Sequence, residues 1–348
     1  MADLDEEILL EQRGYTKLSK LRDTAQGALY TASKKGEDGE QVVAIRRTSK
    51  EMSREKISIH DGFCFVVADD IQKEAAILQS LSSSKHPYAA YVAKYVDFFE
   101  SLDDYYLVTA HNESAITLKQ FSQQCHEFIN QGKLSRSAYR KILKFVSWQL
   151  FVCVVWMHES KNVCHLDLNS SNILVENATF VSEADGTVTL RDADSLQIQI
   201  SDFHVSETFD GVSGSKPFQC LKYGLNIERE VYLAPEVFCD EDAMYDARAA
   251  DVWSLGIVMF ECLTSQPPFV PEDVVHRTNG YLALHQGVRS FAAHLKKHNL
   301  HKYFTPKQLS FVLRLLSVQS GERPIGGSLL RQPWFASYYG RCQNVDKD

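Results

Sequence analysis

HLDLNSSN, residues His165 to Asn172, sets an acid two places after a histidine and an amide five places after that acid. Eight residues do not fix a role for this pattern. The elements on either side of them decide the fold, and those elements differ in kind.

Residues up to about Ala110 read mainly as strands. YTKLSKL, ALYTAS and QVVAIRRT have β-type composition, and KKGEDGE between the last two reads as a hairpin turn. Asp69 and Asp70 are set to cap an amphipathic helix, IQKEAAILQSL, with Ile71, Ala75, Leu78 and Leu81 along one face. YVAKYVDFF and YYLVTA follow as two further strands. From about Thr117 the character turns helical. LKQFSQQCHEFI, SAYRKILKFVSWQLFVCVVWMHES and AADVWSLGIVMFECLT are long and apolar on one or more faces, as buried helices are. The polar stretch His111 to Ala115 reads as a hinge. TFVSEADGTVTLRD interrupts the helical half with a hairpin around Asp185-Gly186, a pair that tolerates positive φ. Val205 to Val231 is a long irregular connection, of the kind that is usually functional or disordered. The pattern predicts an α+β chain, a small β-rich lobe followed by a larger helical one.

The composition excludes several classes. The 348 residues are 44% hydrophobic and 24% charged, ordinary for a globular chain with its own core. A net charge of -8 gives no electrostatic reason to expect nucleic acid or an anionic membrane as partner. MADLDEEILLEQRG is acidic and lacks the basic-then-apolar pattern of a signal peptide, and Ala2 excludes the Gly-dependent myristoylation signal. The longest apolar run, Leu150 to Met157, falls far short of the ~20 residues of a spanning helix. Eight cysteines without a CxxC pair read as reduced small hydrophobes, not as a disulfide or zinc framework. A soluble cytoplasmic or nuclear protein is expected.

In this setting HLDLNSSNILV resembles the catalytic-loop pattern HRDLKxxNILL of the eukaryotic protein kinase family. SDFH (Ser201 to His204) is similar to the metal-binding DFG, and VAIR (Val43 to Arg46) to the VAIK of the third strand. YLAPE (Tyr232 to Glu236) resembles the end of the activation loop, DVWSLGIVMFECLT the helix after it, and ERP with QPWF the end of the domain. Six motifs in order, from about Tyr15 to Phe335, imply the bilobal protein kinase fold. On that resemblance a small lobe covers residues 15–110, a hinge 111–116 and a large lobe 117–340, between an acidic segment 1–14 and a tail 341–348.

The resemblance implies ATP and Mg2+ as cofactors. Asp167 stands where the family's base accepts a substrate hydroxyl proton. Asn172 and Asp202 take the two magnesium positions, where oxygen ligands suit a hard cation. Arg46 replaces the third-strand lysine, and Glu74 holds the place of its ion-pair partner. Gly27 belongs to the phosphate-covering loop, while Leu29, Ala44 and Leu174 match the residues that sandwich adenine. Glu236 and Arg323 match a buried ion pair, and Asp251 an acid that holds the catalytic-loop backbone.

Departures from the pattern are as telling. GxGxxGxV appears as RDTAQGAL, so Arg22 and Thr24 replace two glycines that let backbone approach phosphates. Arg46 keeps a charge, but a planar fork is not a compact ammonium. His204 replaces the DFG glycine and reads as a surface histidine. Leu166 replaces the HRD arginine, so phosphorylation of Ser206, Thr208, Ser213, Ser215 or Tyr223 should not switch the chain by Arg–phosphate pairing. Asn169 and Arg229 replace a lysine and a threonine that act with the catalytic aspartate in Ser/Thr kinases. The resemblance therefore implies a degraded ATP/Mg site: a pseudokinase acting by nucleotide-modulated binding of a protein partner. The alternative is a slow atypical Ser/Thr kinase with a protein substrate. Candidate partner surfaces are the helical lobe, the activation segment and the extra sequence from Thr48 to Ala68. The hairpin at Asp185-Gly186 reads as a tolerated surface insertion.

Overall fold

The computed structural model describes residues 8–36, 39–60, 63–66, 69–209, 215–217, 231–238, 244–276 and 278–338. The chain divides into two compact units. The first runs to Ala115 and includes the short return Phe203–Val205, and the second takes up at Ile116.

In the first unit, strands β1 (Tyr15–Thr24), β2 (Gly27–Gly36) and β3 (Gly39–Ser49) are followed by helix α1 (Lys50–Glu55) and the hairpin β4 (Ile57–His60) and β5 (Phe63–Val66). Helix α2 (Ile71–Ser82) precedes β6 (Tyr95–Glu100) and β7 (Asp104–Ala110). The large sheet is antiparallel, in the order β1-β2-β3-β7-β6. Alternation along β3 explains its two faces. Val43 and Ile45 are fully buried on one side, in a cluster with Tyr15, Phe99, Tyr106 and Val108, while Ala44 and Arg46 look the other way and are half-buried. Leu10, from the helical residues 8–12, completes this cluster, so the acidic leading segment contributes to the core of the sheet. The described part of the extra sequence between β3 and α2 forms α1 and the β4–β5 hairpin, with Ser49 capping α1 through its side chain.

Two local expectations change. Asp70 alone caps α2, its Oδ1 accepting the Lys73 N–H at 3.0 Å; Asp69 instead lies 3.6 Å from the His204 ring. The strand expected over YVAKYVDFF begins only at Tyr95, because Pro87 opens a 3-10 turn over Pro87–Tyr91. The tip of the β2–β3 hairpin, Glu37 and Asp38, lies outside the described residues.

The second unit opens with β8 (Ile116–Thr117), whose Thr117 forms a capping box with Gln120 at the start of α3 (Leu118–Asn130). Helix α4 (Arg136–Ser160) leads into β9 (Val163–Cys164), β10 (Ile173–Glu176), the hairpin β11 (Phe180–Ser182) and β12 (Val188–Leu190), and β13 (Gln197–Ile200). After β14 (Glu207–Thr208), β15 (Ser215–Pro217) and β16 (Met244–Asp246) comes α5 (Ala247–Thr264), buried on almost every side as a helix apolar all round must be. Helices α6 (Pro271–His276), α7 (Asn279–His285), α8 (Val288–Lys297) and α9 (Pro306–Leu315) follow.

The last carbonyls of a helix lack intrahelical donors. Here the Cys262 carbonyl, in the last turn of α5, accepts from Ser122 Oγ (3.2 Å), His126 Nε2 (2.9 Å) and Tyr139 OH (2.7 Å), which ties α3 and α4 to α5. The β11–β12 hairpin is not a loose decoration: Phe180 packs its ring against Phe121 and Phe128 of α3. Among the described residues only α4 is long and apolar enough to cross a membrane, and 72% of its most apolar stretch is buried in the protein.

Candidate active site

Strand register places the small-unit residues. Leu29 of β2 lies opposite Arg46 of β3, and Thr31 opposite Ala44, so Leu29, Ala44 and Arg46 share one sheet face. Arg46 forms an ion pair with Glu74 of α2, whose side chain is only 3% exposed. A carboxylate buried this deeply needs such a partner. The other Glu74 oxygen accepts the Phe203 N–H at 3.2 Å, with the Phe203 ring fully buried. His204 is buried, not a surface histidine, and its carbonyl accepts the Asp70 N–H at 3.2 Å. Gly27 has a steric reason to be glycine: a Cβ there would lie 2.1 Å from the Arg47 carbonyl oxygen. β1 and β2 close through a two-residue turn, Ala25-Gln26, with Thr24 opposite Gly27.

The catalytic-loop residues belong to the second unit. Asp251 of α5 is fully buried and accepts the backbone N–H groups of His165 and Leu166, each at 2.8 Å, while His158 Nε2 donates to it at 2.8 Å. His165 Nδ1 accepts the Asp167 N–H at 3.2 Å, so the ring carries its proton on Nε2 and donates it to the Ser201 carbonyl at 3.1 Å. Burial pushes the His165 pKa down, against the opposing pull of Asp251, Asp167 and Asp202. Asn172 Nδ2 donates to Asp167 Oδ2 (2.8 Å) and to the Asp167 carbonyl (3.0 Å). Both amide protons are thereby used, leaving Oδ1 as the ligand atom of Asn172. A carboxylate oxygen of Asp202 lies within 4.8 Å of one of Asp167, and Ser201 Oγ donates to the Asn172 carbonyl at 3.0 Å. Asp202 itself adopts φ +66°, as does Leu166 near +64°. Carboxylate and amide oxygens are hard donors of the kind that suits Mg2+. Leu174, on β10 between β8 and β13, is half-buried.

Over residues 15–335 the sequence matches the protein kinase domain family. The chain belongs to the protein kinase family. It is 25% identical over 268 residues to the calcium/calmodulin-dependent protein kinase cmkA of Emericella nidulans, a match covering 76% of this chain and 52% of that protein. The serine/threonine-protein kinase ULK3 of Homo sapiens is 26% identical over 262 residues, 74% of this chain and 43% of that protein. The calcium-dependent protein kinase 6 of Plasmodium berghei is 25% identical over 258 residues, 71% of this chain and 14% of that protein. This kinase-family chain therefore spans about half the length, or less, of these relatives.

For some residues that the sequence reading named, the structure adds a role it did not see. Asn169, where Ser/Thr kinases usually have lysine, braces the loop: its Oδ1 accepts the N–H groups of Ser171 (2.9 Å) and Asn172 (3.1 Å), and its Nδ2 donates to the Asp167 carbonyl (3.1 Å). Asn is a good turn residue for this reason, the one signal that would have pointed to it. Ser170 Oγ sits 3.3 Å from the Tyr232 hydroxyl, which donates to Glu261 at 2.6 Å. Burial, and then the Glu261 charge, push the Tyr232 pKa upward. Leu166, in place of the HRD arginine, packs with Tyr245 against Cys164, Phe209 and Ala247. Arg323 and Glu236 meet as a two-pronged pair at 2.6 and 2.7 Å. Arg229, Ser213 and Tyr223 lie outside the described residues.

Proposed function

We propose that this kinase-family chain binds ATP with Mg2+ and transfers the γ-phosphoryl group slowly to a serine or threonine hydroxyl of a protein. The observation that carries the reading is the Asn172 amide, whose two protons are spent on Asp167 so that its oxygen is left as a donor atom. Asp167, 8% exposed and fixed at Oδ2, is placed to orient and accept the proton of an acceptor hydroxyl. Asn172 and Asp202 would hold the metal, which when bound neutralises charge on the phosphate oxygens. Arg46 would hold phosphate: a guanidinium has five N–H donors, more than one carboxylate uses. Leu29, Ala44 and Leu174 would contact adenine.

A second reading, a pseudokinase that binds nucleotide and a protein partner, is favoured by two observations. The Ala25-Gln26 turn carries side chains where the family has a glycine-rich loop, and Asn169 supplies no cation beside Asp167. Transfer of labelled γ-phosphate from Mg-ATP to a basic acceptor protein, with Asp167→Ala as control, separates the two. Transfer that disappears in Asp167→Ala supports the enzyme. Transfer equal to that of Asp167→Ala, together with an Mg-ATP-dependent rise in Tm, would leave only the binding role.

A further inference from the structure

After the 3-10 turn Pro333–Phe335 the chain lies against helix α4 of the second unit. Aromatic side chains fix it there. Trp334 Nε1 donates to Ser147 Oγ at 3.1 Å, Phe335 meets Trp148 edge to face, and Tyr338 stacks on the Trp148 ring with centroids 5.5 Å apart. Ser337, between these anchors, is exposed, and its Oγ accepts a hydrogen bond from Lys144 Nζ of α4 at 2.7 Å. The same ammonium lies 5.9 Å from the Trp334 ring centroid and 5.6 Å from that of Tyr338.

Lys144 is a cation held without an anion. Among the described residues no carboxylate pairs with it; burial, and then the charge of Lys307 in the first turn of α9, push its pKa down. Lys17, Lys20 and Lys50, by contrast, reach carboxylates at 2.6–2.7 Å. Two ring faces and a neutral hydroxyl compensate a half-buried ammonium only in part. The missing charge can be carried by the very atom that Lys144 already touches. A phosphate on Ser337 brings about −1.5 to −2 charges and three acceptor oxygens. It turns the Lys144 bond into a charge-assisted one, with Lys307 in its field. The Ser337 hydroxyl is also open to a modifying enzyme, whereas Ser147 and Ser206, hydrogen-bonded too, are buried.

We propose that Ser337 is a phosphorylation site, and that its phosphate locks this stretch onto α4 through Lys144. A separate protein kinase with Mg-ATP supplies the group, so the site does not depend on transfer by this chain. The Ser337 Oγ–P bond forms as the bond from the γ-phosphorus to the bridging oxygen breaks. ADP leaves, and the hydroxyl proton passes to the base of that kinase.

The test compares the full chain carrying phosphoserine, genetically encoded at position 337, with the unmodified chain. By phosphorus NMR the second phosphate pKa should fall at least about 0.5 below its ordinary value near 6. It should return to that value in Lys144→Met, which keeps an unbranched stem against the two rings. Phosphorylation should raise Tm by about 2 °C in the wild-type chain and not in Lys144→Met. Lys307→Ala, at an exposed residue, should remove part of the pKa depression. Mass spectrometry of the chain isolated from its own cells under phosphatase inhibition should find phosphate on Ser337. An ordinary phosphate pKa in the wild-type chain, or one unchanged by Lys144→Met, overturns the locking contact. A native chain with no phosphate on Ser337 overturns the site.

Discussion

Arg46 and Glu74 form an ion pair that joins strand β3 to helix α2, and the same carboxylate takes the Phe203 N–H with its second oxygen. One buried acid thus fixes a strand, a helix and the backbone that follows Asp202. The family lysine is absent, yet the arrangement it would serve is assembled around arginine.

The pair makes opposite predictions for two variants. Arg46→Lys keeps the charge opposite Glu74 and exchanges a fork for a compact ammonium. It is expected to raise γ-phosphate transfer about tenfold, or about 1.4 kcal/mol of barrier. Arg46→Met leaves a 3% exposed carboxylate without its cation. Fully buried pairs lose roughly 3–5 kcal/mol on such a change; with the Arg46 side chain 21% exposed, about 2–3 kcal/mol is expected. Thermal denaturation and single-turnover transfer read the two effects separately.

Gly27 is predicted to be required for the fold before it is required for nucleotide. A methyl group there would press on the Arg47 carbonyl at 2.1 Å, against backbone that cannot step aside without opening the β2–β3 ladder. Gly27→Ala should cost at least about 2 kcal/mol. Arg22→Gly, at an exposed position, should leave Tm within a degree or two. A Gly27→Ala protein with unchanged Tm would contradict the steric account.

Asn169 should resist conversion to the family residue. Lysine at this position cannot accept the Ser171 and Asn172 N–H groups that Asn169 Oδ1 now takes. Asn169→Lys is expected to lower stability by about 1–2 kcal/mol and to reduce transfer, although it brings the sequence nearer to the family pattern. Asn169→Asp retains the acceptor and loses only the donation to the Asp167 carbonyl, so its defect should be smaller. Steady-state rates and melting curves of the pair decide it.

Activation-segment phosphorylation is predicted not to activate. Ser206 is fully buried with Oγ donating to the His165 carbonyl at 3.0 Å, so a phosphate there has no room. Thr208 is exposed, but beside it Leu166, Phe209 and Tyr245 form apolar packing where an arginine would have met phosphate. Thr208→Glu should change the transfer rate less than about twofold, since Leu166 offers no cation and the neighbouring Arg248, over the Phe209 ring, is already held by Asp246. Phe209→Ala should lower Tm by several degrees, measured on the unphosphorylated chain.

How far the sequence disclosed this follows from the range of the interactions involved. The β-type composition of QVVAIRRT and a capping acid at Asp69 or Asp70 are local signals, and they were readable. So was the Asp167–Asn172 spacing, because both residues lie on one loop. What stayed hidden depends on distant partners: Leu10 entering the sheet core, Phe180 on α3, and the meeting of Leu166 with Phe209. Asn169 read as a loss when only the missing charge was counted. Its gain, three hydrogen bonds to its own loop, needs backbone coordinates to be seen. His204 read as surface because nothing local signals burial against the start of α2.

The buried histidines set a pH dependence whose sign follows from their bonding. His165 is neutral in the fold, since Nδ1 accepts from the Asp167 backbone, and burial lowers its pKa below the ordinary value near 6.5. His126 is lowered in the same way, chiefly by burial, with Nε2 on the Cys262 carbonyl. Well above pH 6.5 both rings are neutral whether the chain is folded or not, and their contribution to stability is complete. Below it the unfolded chain takes up protons that the folded chain refuses. Stability should then fall by up to about 1.4 kcal/mol per pH unit for each ring, levelling off below the folded-state pKa. Tm measured from pH 8 to pH 5 is expected to be flat above about 7 and to decline below. His126→Asn, which keeps a donor for the Cys262 carbonyl but cannot titrate, should make that decline shallower. A Tm that rises on acidification through pH 6 would mean that the rings are held protonated in the fold.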